Sequence, residues 1–243
     1  MGTVVAIHQA NFFPWLGYFD KLARADRFIF LDHAQFPKTA GTWSNRVQLL
    51  VGHKPRWCTM AIRRDYHGVR RCNEMQTSAQ VPWRKDLIQT LRANYGRSRH
   101  FAEVFPILEP LIQNQTDDLT QYNIHAIESL AKHLGIDPGK CVRSSTLAIA
   151  SQATDMLIDL VRAVGGTAYL CGDGSQGYLE PEKIARAGVD LIYQAFQHPV
   201  YPQAGNSNFT PGLSCLDAVF NCGFEAVGFW LNGTRKQMGH SAA

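Results

Sequence analysis

The feature that most constrains this chain is a turn from strand to helix and back at its start. Val4-Val5-Ala6-Ile7 is a short apolar run of strand type that ends in three polar residues, His8, Gln9 and Asn11. Pro14 then opens a segment to Arg24 that reads as a helix, because proline fits the first helical turn. Trp15, Leu16, Tyr18, Phe19, Leu22 and Ala23 cover most of its circumference. Gly17, Asp20, Lys21 and Arg24 share one narrow polar face, which predicts a largely buried helix whose polar stripe looks along a cleft. Arg27 to Asp32 is a second strand-like run and ends in a carboxylate. Strand, helix and strand with short links predict a parallel pair joined by a right-handed crossover.

The same alternation returns near residue 141. Cys141–Leu147 is strand-like, Asp155–Val164 reads as a helix closed by Gly165-Gly166, and Ala168–Cys171 is a short buried strand. Pro181–Ala187 reads as a helix, Val189–Tyr193 as a strand, and Leu213–Phe220 as a last helix ending at Asn221-Cys222-Gly223. The tail after Trp230 is polar and reads as loose. Between these ends, residues 33–80 are mixed, with a strand-like run at Trp57–Ile62, and residues 82–135 are helical. Thr116 is the expected N-cap and Gly135 the expected C-cap of the later helix there. No linker interrupts the chain. The expectation is one α/β domain over 1–243, with a parallel sheet flanked by helices. Its sheet core falls at 1–50 and 141–223, with a helical segment inserted at 82–135.

Composition narrows the class. The chain has 243 residues, 45% hydrophobic and 18% charged, with a formal net charge of +4, as an ordinary soluble globular protein has. No apolar run approaches the roughly 20 residues of a bilayer span, and no signal peptide opens the sequence, so a cytoplasmic location is expected. The six cysteines are scattered without a C-x-x-C pair and read as reduced thiols. No His/Cys spacing matches a structural zinc site, and no metal ligands are assigned. Lys54 to Arg71 holds six cations against one acid, Asp65. That stretch reads either as a solvated basic face or as a loop that closes on phosphate or carboxylate groups. It is short and carries no nucleic-acid motif, so the expected partner is a small molecule, anionic or sugar-containing.

Three clusters could carry chemistry. The first is His8, Gln9, Asn11, Asp20, Lys21, Asp32 and Gln35, after the first two strands. An imidazole is the natural proton carrier near neutrality, and Asp32 could orient it, hold a divalent ion, or cap a strand. The second is Cys171-Gly172-Asp173-Gly174-Ser175-Gln176-Gly177-Tyr178-Leu179-Glu180. Glycines between a strand and a helix start expose backbone N–H groups to an anion, although neither a dinucleotide fingerprint nor a Walker loop is present. The third is Gln197-His198-Pro199-Val200-Tyr201-Pro202-Gln203, where two prolines stiffen a loop. In a parallel sheet all three follow strand C-termini and so fall on one edge, where open α/β folds bind ligands.

These segments resemble the WbqC-like protein family, whose pattern opens I-H-Q-P-N-[YF]-[FL]-P-W-x-G-Y-F and continues F-x-D-x-x-Q-[FY]. A Gly-rich Y-L-S-G-x-G-G-x-x-Y-L-D turn, H-P-x-Y-x-Q, and L-S-x-L-D-x-x-F-N follow. Here the matches are Ile7 to Phe19, Phe30 to Phe36, Tyr169 to Glu180, His198 to Gln203 and Leu213 to Asn221. Ala10, Cys171, Ser175 and Glu180 depart from it. The family's association with surface-polysaccharide, O-antigen and other biosynthetic clusters implies modification of an activated or amino sugar, or a related metabolite. A weaker likeness to pantothenate synthetase implies a nucleotidylyltransferase-like topology. Asn11-Phe12-Phe13-Pro14 stands where the ATP-handling H-x-G-H of those enzymes would be.

The expected function is therefore a biosynthetic transferase or amide-forming ligase that moves an acyl or aminoacyl group to an amine. His8 is the expected general base, Asp32 its orienting group, and His198 a second acid or base. Gln9, Asn11, Lys21, Gln35, Asn45, Arg46, Gly172, Asp173, Gly174, Tyr178, Tyr201 and Gln203 are the expected substrate contacts. ATP with magnesium would suit such chemistry, but no motif for either is present. Two other readings stand beside this one: a thiol enzyme using Cys171, and a non-catalytic sugar- or nucleotide-binding protein.

Overall fold

A five-stranded parallel sheet organises the molecule. The computed structural model describes residues 2–38, 42–172, 174, 177, 179–203, 205 and 208–238. The sheet contains β1 (Val4–His8), β2 (Arg27–Phe30), β5 (Cys141–Arg143), β6 (Ala168–Cys171) and β7 (Asp190–Tyr193), in the order β5-β2-β1-β6-β7. Every neighbouring pair is parallel. The chain leaves β1 outward to β2 and β5, then returns to lay β6 on the other side of β1. This is the doubly wound order, and its direction reverses between β1 and β6.

The pleat sends alternate residues to two cores. Ala6, Phe28, Phe30 and Leu170 face one side, packed with α1 (Leu16–Arg24), the helical segment and α7 (Cys215–Met238). Val5, Ile7, Ile29, Tyr169 and Cys171 face the other, against α5 (Ala153–Ala163) and α6 (Pro181–Arg186). Burial on both faces is why these strands read as continuous apolar runs. The helical segment comprises α2 (Trp83–Tyr95), α3 (Phe101–Ile112) and α4 (Leu119–His133).

Several boundaries differ from expectation. The second strand stops at Phe30, short of Asp32, and the run from Cys141 stops at Arg143 and tightens into a 3-10 turn at Ser144–Thr146. The stretch before residue 60 is an antiparallel hairpin outside the main sheet, β3 (Arg46–Val51) and β4 (Lys54–Thr59). Its Gly52-His53 turn has positive φ at both residues, 57° and 62°, as a two-residue hairpin of matching twist requires. The N-cap of α4 is Asp118, whose carboxylate accepts from the Gln121 N–H at 2.8 Å, rather than Thr116. The chain after Trp230 is helical: α7 breaks at Gly223 (φ 81°) and resumes to Met238. Phe224, Val227 and Leu231, at helical spacing, are buried on that second half, and Asn232 donates to the Leu134 carbonyl at 3.0 Å. Among the described residues no helix is long and apolar enough to cross a membrane.

Candidate functional site

A cavity of about 640 Å³ opens where the strand order reverses. β1 brings His8 and Gln9 to it, the turn after β6 brings Gly172 and Gly174, and Gln194 follows β7. α1 supplies Gly17, Tyr18 and Lys21, and the start of α5 supplies Ala153, Met156 and Leu157. Its volume suits a small molecule, and its position is where doubly wound sheets bind one.

The α1 wall is built from the sequence up. Trp15 is the N-cap residue of that helix, and its ring lies across Gly17, where a Cβ would meet Trp15 ring carbons at 2.3–2.6 Å. The glycine therefore sets the ring against the helix, and Phe196 and His198 hold its other side with ring centroids 5.4 and 6.3 Å away. Four residues after Gly17, Lys21 lies on the same face. Its Nζ is buried and donates to the Ile7 carbonyl at 3.1 Å. Among the described residues no carboxylate pairs with it. Burial lowers its pKa from 10.5 to about 8, against a smaller upward pull from Cys171. An ammonium taken from water without a counter-charge loses its proton more readily.

His8 is neutral. Burial first, and the Lys21 charge second, lower its pKa from 6.5 to about 3, although a hydrogen bond to the Gln9 backbone opposes them. Nδ1 lies 3.0 Å from the Gln9 carbonyl, so Nδ1 carries the proton and Nε2 is left as an acceptor. The ring also packs edge-on to Tyr18 at 4.8 Å. With its Nδ1 proton on the Gln9 carbonyl and Nε2 unprotonated, the ring can accept a hydrogen bond, and burial makes it a weaker base than an ordinary imidazole.

The expected site residues divide between this cavity and other tasks. His8, Gln9, Lys21, Gly172 and Gly174 line it. Asp173 and Tyr178 lie outside the described residues. Asp32 does not reach His8: its carboxylate accepts from Ser144 Oγ (2.9 Å), Ser145 N–H (2.8 Å) and Ser145 Oγ (2.6 Å), capping the 3-10 turn after β5. Gln35 lines a second cavity with Arg71, the one member of the basic stretch found in either cavity wall. Asn11 is buried away from both cavities. Asn45 closes the turn before β3, accepting from Thr42 N–H at 3.1 Å and donating to the Met60 carbonyl at 3.1 Å. Arg46 stacks its guanidinium 4.2 Å above the Trp57 ring.

Beyond Gln194, the loop after β7 is a latch rather than a cavity wall. Tyr201 Oη and Gln203 Nε2 donate to the buried Asp217 carboxylate at 2.8 and 3.0 Å, and Tyr95 Oη donates to its other oxygen at 2.9 Å. These bonds tie the loop and α2 to α7. His198 sits among Trp15, Phe196, Tyr201 and Phe209, outside the cavity but supporting Trp15. Cys171 is fully buried in the core beneath α5, with no surface for a substrate to approach. Gln194, Met156 and Trp15 went unassigned in the sequence. Gln194, a polar residue directly after a strand, carried the same signal as His8; Met156 carried none.

Fold and cavity together define a doubly wound α/β protein with a cavity at its topological switch point. The chain belongs to the WbqC-like protein family, whose model matches residues 9–228. It is also similar to an uncharacterized protein, Rv1507c, of Mycobacterium tuberculosis (strain ATCC 25618 / H37Rv), 28% identical over 224 residues, covering 91% of this chain and 95% of that protein. No solved structure matches the chain.

Proposed function

We propose that the chain is a biosynthetic transferase that joins an acyl or aminoacyl group to an amine on a small metabolite, with the donor's anionic end on Lys21. The observation that carries this reading is the buried Lys21 ammonium at the cavity wall, with one carbonyl as its hydrogen-bond partner and no carboxylate among the described residues. A carboxylate or phosphate arriving there would complete an ion pair that the described residues leave open. Gly172 and Gly174 line the same cavity, and glycine backbone of that kind can offer N–H groups to an anion. Neutral His8 offers Nε2 as an acceptor to a donor hydroxyl or amide. Trp15, Tyr18, Leu157 and Tyr169 give apolar walls that exclude water from an activated acyl group. The family's association with polysaccharide and O-antigen clusters supports an amino sugar as the acceptor.

The test is a thermal-shift titration with ATP, acyl thioesters and nucleotide-linked amino sugars, with and without magnesium, on wild type and Lys21→Met. Mass spectrometry for an amide product follows for each pair that binds. Stabilisation of wild type but not Lys21→Met by an anionic donor, with a product mass equal to acyl plus amine less the leaving group, supports the reading. Binding without product from every donor–acceptor pair makes this a binding protein and overturns it.

A further inference from the structure

Hydrogen-bond counting fixes what two polar groups of the first cavity can offer a ligand. Gln194 is buried directly after β7, and its Nε2 donates to the Gly17 carbonyl at 2.6 Å and the Asp20 carboxylate at 2.9 Å. A carbonyl and an ion-paired carboxylate only accept, so both protons of the amide nitrogen are committed and the amide cannot be turned over. Its Oε1 is left as an acceptor, without a partner among the described residues and not sealed from solvent. His8 is placed alike. Nδ1 gives its proton to the Gln9 carbonyl at 3.0 Å, and Nε2 is the second unpartnered acceptor on the cavity wall.

Both acceptors stand near the buried Lys21 ammonium. Gly17, which anchors Gln194, is one helical turn before Lys21 on the same face of α1. Lys21 Nζ sits on the carbonyl of Ile7, the residue before His8, and its charge reaches the imidazole. The Asp20 carboxylate behind Gln194 polarises the amide and makes Oε1 a better acceptor. A hydrocarbon acyl chain seated here would dry both acceptors and pair neither, which costs affinity at each. A ligand that matches the set brings negative charge for Lys21 and, next to it, at least two N–H hydrogens. A carboxyl group with an ammonium on the neighbouring carbon has that pattern, since an ammonium has three donors and no acceptor. An α-hydroxy acid supplies one donor and leaves one acceptor unpaired.

We propose that the first cavity selects an α-amino acid as the acyl part of the donor, with its ammonium on Gln194 Oε1 and His8 Nε2 and its anionic end, a free carboxylate or an acyl phosphate, on Lys21. This rests on the group-transfer reading above and narrows it to aminoacyl transfer. Gln194 is the specificity residue, because its fixed acceptor tells an amino acid from the deaminated acid of the same shape. Trp15, Leu157 and Tyr169 leave an apolar wall for the side chain. In the transfer the acceptor nitrogen bonds to the carboxyl carbon of the aminoacyl phosphate. The bond from that carbon to the phosphate oxygen breaks with its electron pair on the phosphate, and the proton shed by the acceptor nitrogen ends on the phosphate released.

The test is binding alone, without turnover. A thermal-shift panel of the free proteinogenic amino acids picks the side chain, and calorimetry then compares that amino acid with its deaminated carboxylic acid and its α-hydroxy acid. The amino acid is expected to bind about tenfold or more tighter than the carboxylic acid, with the hydroxy acid between them. His8→Phe keeps a ring against Tyr18 but removes Nε2, and should weaken the amino acid about tenfold while leaving the carboxylic acid unchanged. Gln194→Met also frees Gly17 and Asp20, so its readout is the ratio of the two affinities, which should fall toward one. A carboxylic acid that binds as tightly as the amino acid, or a panel in which no amino acid binds, overturns the inference. Product from a plain acyl donor in the screen above then leaves group transfer standing. Amino-acid selectivity without product from any pair supports this assignment of the cavity and overturns the transfer.

Discussion

Replacing Lys21 with methionine should make the protein more stable at neutral pH. The folded state lowers this amine from 10.5 to about 8, a gap of about 2.5 units. At 1.36 kcal/mol per unit the gap is worth about 3 kcal/mol against holding the proton in the fold. Losing the Nζ bond to the Ile7 carbonyl returns about 1 kcal/mol, which leaves a net gain near 2 kcal/mol for Lys21→Met. At about 2–4 °C per kcal/mol for a chain this size, the midpoint should rise by roughly 4–8 °C. The pH dependence fixes the cause. Below about pH 8 both states hold the proton and the penalty is complete. Between about 8 and 10.5 the unfolded chain binds a proton that the folded one lacks, so wild-type stability rises with pH. The advantage of Lys21→Met is therefore full at neutral pH, shrinks through that window and is gone above it. Urea unfolding at a series of pH values measures it. A variant less stable than wild type at neutral pH, or an advantage that does not change with pH, would refute the reasoning.

Three further perturbations separate the site from its supports. His8 has a folded pKa of about 3 against 6.5, so the unfolded chain alone binds its proton as pH falls through that range. Wild-type stability should drop there by up to about 1.4 kcal/mol per pH unit from this group, and His8→Gln should have the shallower acid limb in urea unfolding; parallel curves would count against a buried neutral ring. Tyr201→Phe removes one of three donors from the buried Asp217 and should cost about 1.5–3 kcal/mol, with the affinity for any cavity ligand unchanged in calorimetry. Gly17→Ala gains about 1 kcal/mol of helix propensity but puts a Cβ 2.3 Å from the Trp15 ring, and crowding of that kind costs about 1–3 kcal/mol. Pushing Trp15 off the helix should weaken cavity ligands, and unaltered ligand affinity with a raised midpoint would show that the ring is free to move.

The sheet was legible because each of its long strands is buried on both sides and carries a continuous apolar run between turn residues. Legibility failed where the deciding contact is distant or the pattern is broken. Gly223 interrupts the last helix, so Phe224, Val227 and Leu231 fall out of phase with the residues before it and the tail looks unsupported. The hairpin of β3 and β4 has one face to solvent and a charged edge, which blurs its alternation. The site was half legible for the same reason. His8, Gln9 and Lys21 were found because strand ends and a helix face are local facts. The partners of Asp32 are 112 and 113 residues away, so its sequence position could not say whether it serves an imidazole, an ion or a turn. It serves a turn directly and an imidazole through that turn, and the imidazole is the neighbouring His33 rather than His8.

A polar residue inside an apolar run is ambiguous until its hydrogen bonds are counted, and the count sorts Asp217 and Lys21, two of the buried ionisable groups of this protein, into different roles. Asp217 is surrounded by Tyr95, Tyr201 and Gln203, and those three donors leave it nothing to offer a ligand. Removing any one of them exposes a buried charge, which is how a structural carboxylate behaves. Lys21 has one carbonyl and open cavity instead. Its burial lowers the stability of the protein, and among the described residues no carboxylate offsets that. The same count distinguishes the two histidines at the ends of neighbouring strands. Burial and the Lys21 charge keep His8 unprotonated, whereas His33 is held between the Ser144 hydroxyl at Nδ1 and the Met156 thioether, which can only accept, at Nε2.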